Sequence, residues 1–108
     1  MSIEEKALRK ELSILEKKKE EYEYYIFECD PLTKIIENRL KAQEIFIKYK
    51  GDNNKIAEKI KPLAKKEKEL LKLQKKKEKY ESKTKELSQI IFDIGQLKNR
   101  LFILKNKR

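Results

Sequence analysis

The sequence predicts an all-α chain folded as a long antiparallel coiled-coil hairpin, on three observations. Leucine, isoleucine and tyrosine recur at alternating steps of three and four, the spacing of a coiled-coil seam. Of the 108 residues 44% are charged and 38% apolar, with only two glycines and two prolines to interrupt helices. Such a composition suits elongated helices, whose exposed faces outnumber their buried ones. The turn-forming cluster Gly51-Asp52-Asn53-Asn54 stands near the middle and leaves an arm on either side. A disordered chain could have the same charge density, but not apolar residues at regular spacing.

The first helix, expected over 2–28, can begin at once. Ser2 and Glu5 form a Ser-x-x-Glu pattern, in which the serine caps the Glu5 amide and the glutamate reaches back. Leu8, Leu12, Leu15, Lys19, Tyr22, Ile26 and Cys29 then follow at steps of four and three. Ile3, Ala7, Ile14 and Tyr25 form a second stripe, roughly 100° or more around the helix. One partner helix cannot cover both stripes.

Asp30-Pro31 marks a restart. Aspartate at an N-cap with proline at the first helical position is a strong start signal, and the residue before proline disfavours helical geometry. The second helix, expected over 31–50, carries Leu32, Ile35, Ala42, Phe46 and Tyr49 on one stripe and Ile36, Leu40 and Ile47 on another. Gly51 can end it in a left-handed cap, and Asp52 or an asparagine can cap the next.

The third helix is expected over 55–106, with a kink or short break at Pro62, which removes a hydrogen bond and crowds the preceding turn. Leu70, Leu73, Lys77, Tyr80, Thr84 and Leu87 lead into Ile90, Ile94, Leu97, Leu101 and Leu104. The step from Leu87 to Ile90 is three where four is due, a stammer that overwinds the coil.

Arm lengths favour the hairpin over the alternative, a three-helix bundle in which the chain reverses at Pro31. Residues 2–50 and 55–106 give arms of 49 and 52 residues, whereas a bundle leaves much of the last helix uncovered. The whole chain is read as one domain, bent near Pro31. With the turn centred between Asp52 and Asn53, residue i faces roughly residue 105 − i on the other arm. Leu8 then meets Leu97, Leu15 meets Ile90 and Ile26 lies near Tyr80. Glu28, Asp30 and Glu20 face Lys77, Lys75 and Lys85. The seam is thus expected to hold Leu8, Leu12, Leu15, Tyr22, Ile26, Leu87, Ile90, Ile94, Leu97, Leu101 and Leu104.

Charge is unevenly placed. Residues 1–50 hold 11 basic and 11 acidic residues, and residues 51–108 hold 18 and 8, so the net +10 belongs to the second half. An asymmetric basic half suggests a polyanion or an acidic protein surface, against the plainer reading of a solvated lysine face. The candidate polyanion contacts are Lys65, Lys66, Lys68, Lys72, Lys75, Lys76, Lys77 and Lys79. Lysine outnumbers arginine and no aromatic platform interleaves them, which weakens a nucleic-acid reading.

Chemistry finds little support. There is no histidine, Cys29 is the single cysteine, and Gly51 and Gly95 make no phosphate loop. No catalysis, cofactor or metal is expected. No membrane span or signal peptide is read from the sequence, so a cytoplasmic chain is the expectation.

Two segments exceed what a hairpin can bury. In the cluster Tyr22, Tyr24, Tyr25, Ile26 and Phe27, Tyr22 and Ile26 fit the seam while Tyr24 and Phe27 fall outside both stripes. Residues 90–104 are apolar almost all round, and a helix of that kind is normally buried on every side. Ile3, Ala7, Ile14, Tyr25, Ile91, Phe92, Phe102 and Ile103 are therefore the candidate interface, for a second copy or another protein at the end holding both termini. In outline the expected hairpin resembles the two-arm coiled coils of prefoldin-type chaperones and of rotary or export stalk proteins. The function expected is a non-catalytic, oligomeric interaction or structural protein. The alternative is a small basic helical protein associated with RNA or DNA.

Overall fold

The computed structural model describes residues 2–107, and among them it contains four α-helices and no strand. They are α1 (Ile3–Glu23), α2 (Pro31–Lys48), α3 (Asn53–Glu81) and α4 (Thr84–Asn106), with a five-residue π-helical segment, Tyr24–Glu28, following α1. The chain forms two compact units. Unit 1 comprises Met1–Glu28 and Tyr80–Arg108, and unit 2 comprises Cys29–Lys79.

Unit 1 pairs α1 with α4 in the antiparallel sense of the hairpin. Ser2 accepts the Glu5 amide at 3.1 Å, so the expected cap is in place, and the buried Glu5 carboxylate meets Arg9 at 3.2 Å. Leu8, Leu97 and Leu101 form the buried centre of the pair, with Leu12, Leu15 and Leu104 packed against it. Burial of each such leucine contributes about 1.5–3 kcal/mol.

The offset read from the sequence is only partly kept here. Leu8 meets Leu97 as expected, but also Leu101, and Leu15 joins the same cluster. Glu16 reaches Lys98 at 3.8 Å, far along α4 from the position facing it at that offset. Lys98 lies nine residues beyond the position expected opposite Glu16, whereas Tyr25 meets Tyr80 at the expected offset. At Ser82-Lys83 the predicted continuous third helix is interrupted by a turn. The Lys83 amide donates to the Tyr80 carbonyl at 3.0 Å, and the Thr84 hydroxyl donates to the Glu81 carbonyl at 2.6 Å. These local bonds let the chain leave and re-enter a helix without glycine or proline.

Unit 2 pairs α2 with most of α3, also antiparallel. Asp30 caps α2 through the Thr33 amide at 3.3 Å and the Thr33 hydroxyl at 2.6 Å, and Pro31 follows fully buried. Those two bonds, the hydroxyl first, lower the Asp30 carboxyl below its ordinary range. The α2 seam runs Pro31, Ile35, Asn38, Ala42, Ile45 and Tyr49, at steps of four and three. Here the expected offset holds: Arg39 binds Glu67 at 2.6 Å, and Lys77 reaches the Cys29 carbonyl.

The turn is as the sequence indicates. Gly51 has φ +91°, a left-handed geometry that other residues rarely adopt, and Asp52 accepts the Lys55 amide at 3.2 Å. Three lysines, Lys48, Lys55 and Lys59, stand 5.4–5.7 Å from the centre of the Tyr49 ring. At Pro62, by contrast, α3 runs on unbroken. Pro62 is exposed, as is Glu58, whose carbonyl loses its donor there. Solvent can satisfy that carbonyl, so the helix need not end.

Candidate docking surface

The expected seam residues of unit 1 are all buried or half-buried. Leu87, Ile94, Leu97 and Leu101 line the inner side of α4, and Leu8 that of α1. Where the seam reaches the π segment, leucine gives way to tyrosine. The Tyr22 and Tyr80 rings meet edge to face at 5.0 Å, and Tyr25 stacks on Tyr80 at 4.6 Å. Tyr25 was expected on the outer interface and is instead part of this ring cluster. The π segment holds one residue more per turn than an α-helix, which turns an outer position inward.

The hydroxyls of this cluster are held by carboxylates. Tyr22 donates to Glu86 at 2.8 Å and Tyr80 to Glu21. A phenolate beside a carboxylate is disfavoured, so both phenols are raised, Tyr80 to about 12. These hydrogen bonds fasten the helices to one another.

The remaining interface candidates all point to solvent. Ile3 is 89% exposed, Ala7 and Ile14 are exposed on α1, and on α4 Phe92 and Phe102 are 60% and 63% exposed. Ile91 and Ile103 are exposed as well. At 100° per residue, Ser88, Ile91, Phe92, Gly95, Asn99, Phe102, Ile103 and Asn106 share a sector of about 120°. No ionisable side chain interrupts it from Ser88 onward. This sector lies on the side of α4 away from the α1 seam. Gly95 sits near its middle, and a Cβ added there would meet nothing within 4 Å.

Tyr24 and Phe27, outside both expected stripes, are exposed too. Unit 2 presents a further apolar face, formed by Leu32, Ile36, Leu40 and Ile47 on α2. Beside it a groove of about 470 Å³ is lined by Ala42, Phe46, Ile60 and Leu63 among others. The sequence places the α2 residues among these on two stripes with no role, and does not single out Ile60 or Leu63.

The candidate polyanion contacts lie on α3. Lys65, Lys66, Lys68, Lys72, Lys75, Lys76 and Lys79 are exposed. Lys77 departs from the outward role but keeps its seam position: it is half-buried and donates to the Cys29 carbonyl. Among the described residues no cluster of acidic, cysteine or histidine side chains could hold a metal, and no helix is long and apolar enough to cross a membrane. No protein-family model, curated protein or solved structure matches the chain.

Proposed function

We propose that the chain is a non-catalytic interaction protein that self-associates through the outer face of α4. The observation that supports this most is the row of Ile91, Phe92, Phe102 and Ile103, exposed on a sector without a charge. Scattered exposed apolar residues are ordinary, whereas a contiguous patch marks an interaction surface. Gly95 adds to this, since glycine within a helix costs about 1 kcal/mol relative to alanine and leaves room for close backbone approach.

Charge favours a second copy as the occupant. Unit 1 holds 13 basic and 11 acidic residues, and unit 2 holds 16 and 8. Two copies joined through unit 1 bring little like charge together. Two copies joined through unit 2 would bring together two units with 16 basic and 8 acidic residues each, a larger like-charge repulsion. Light scattering after size exclusion should give a mass at least twice 13.1 kDa that falls on dilution. A monomer at every concentration, including millimolar protein, overturns the proposal.

A further inference from the structure

The basic excess of unit 2 is not spread evenly around α3. Lys61, Lys65, Lys68, Lys72 and Lys75 follow at steps of four, three, four and three, and Lys79 continues the series. All six are exposed. At 100° and 1.5 Å per residue, the first five share a sector of about 80° and extend over about 21 Å of helix. Leu63 and Leu70 lie on the opposite side of the helix, in the pairing with α2. The lysines therefore form a straight rank facing away from α2.

No carboxylate occupies that sector. Glu58 and Glu69 lie at one border, and Glu67 is turned to Arg39 of α2. The spacing is that of a second heptad seam, filled with lysine where the first is filled with leucine. A solvated face needs charge but does not need this regularity.

We propose that this rank binds the phosphate backbone of double-helical nucleic acid without reading its sequence. Lysine offers a point charge suited to phosphate, and lacks the planar fork with which arginine reads guanine. No aromatic side chain lies within the rank to stack unpaired bases, which disfavours a single strand. Leu63 and Leu70 of α3 are turned to α2, so they form no apolar stripe beside the lysine rank of the kind that enters a bilayer. The rank is already ordered on a helix, so binding has little chain entropy to overcome. The function proposed for α4 is independent of this, because the lysines belong to unit 2.

The test is fluorescence anisotropy of the full chain with a labelled duplex of about 20 base pairs, a single strand of the same length, and phosphatidylserine vesicles as competitor. Five neutralised phosphates predict that affinity for duplex falls roughly 500-fold between 50 and 200 mM salt. A row variant, K61Q/K65Q/K68Q/K72Q/K75Q, should lose binding at least tenfold and flatten that salt dependence. A control with equal charge loss off the rank, K6Q/K10Q/K17Q/K18Q/K41Q, should keep most of it. Glutamine is a good helix former, and K65Q/K68Q/K72Q serves if the full variant loses helicity by circular dichroism. Absence of duplex binding at 50 mM salt, equal loss in both variants, or tighter binding to the single strand or vesicles overturns the proposal.

Discussion

Tyr80 holds its proton against the Glu21 carboxylate while its ring is enclosed by Tyr22 and Tyr25. Its folded-state value of about 12 exceeds the ordinary tyrosine value near 10. The associated stability is complete below pH 10 and is lost as pH rises through 12. Absorbance of phenolate at 295 nm, compared between the wild type and Tyr80→Phe, should show the missing component titrating near 12; titration near 10 would refute the Glu21 contact. Asn38 makes a second residue-scale case. It is buried in the unit 2 seam, donates to the Leu63 carbonyl at 2.8 Å and leaves its own carbonyl oxygen without a protein partner. Leucine there would remove the unsatisfied atom, so Asn38→Leu should raise stability by about 1 kcal/mol in urea unfolding, while loosening the register that a polar seam residue fixes. A fall in stability would show that the Leu63 bond outweighs the orphaned oxygen. Of these details the sequence indicates the seam position of Tyr22, but not the inward turn of Tyr25 or the diversion of Lys77. Both depend on the π segment and the Cys29 carbonyl, which leave no compositional mark.

Helices were legible wherever a residue type forces the backbone. Asp30-Pro31 and Gly51-Asp52 supply a cap, a fixed φ and a positive φ, and the structure uses each as expected. Pro62 does not break α3, since the hydrogen bond it removes matters little where water reaches the Glu58 carbonyl. Ser82-Lys83 escaped notice because serine, lysine and threonine occur as readily inside helices, and only their hydrogen bonds to Tyr80 and Glu81 reveal the break. Gly95 gives the test at this scale. Its substitution by alanine should stabilise α4 by about 0.5–1 kcal/mol, since nothing obstructs the new methyl group. The same change should weaken association if the partner helix approaches closely there. Thermal melting and concentration-dependent sedimentation separate the two effects; unchanged association would place the contact away from Gly95.

At the scale of the molecule, the two units differ in what they expose. Unit 1 is nearly balanced in charge and presents Ile91, Phe92, Phe102 and Ile103; unit 2 has the basic excess and the lysine rank of α3. The apolar excess of residues 90–104 was readable as a surplus over one seam, because periodicity counts faces. It did not identify what covers them, since the covering surface is not part of the pattern. The α2 face of Leu32, Ile36, Leu40 and Ile47 is the natural rival, so the decisive comparison sets one face against the other. Phe92→Asp/Phe102→Asp and Ile36→Asp/Ile47→Asp each replace two exposed side chains, which leaves both seams intact. Mass by light scattering should fall to 13.1 kDa for the α4 variant, with helicity kept, and stay at the wild-type value for the α2 variant. The reverse pattern, or an unchanged mass in the α4 variant, would contradict association through α4.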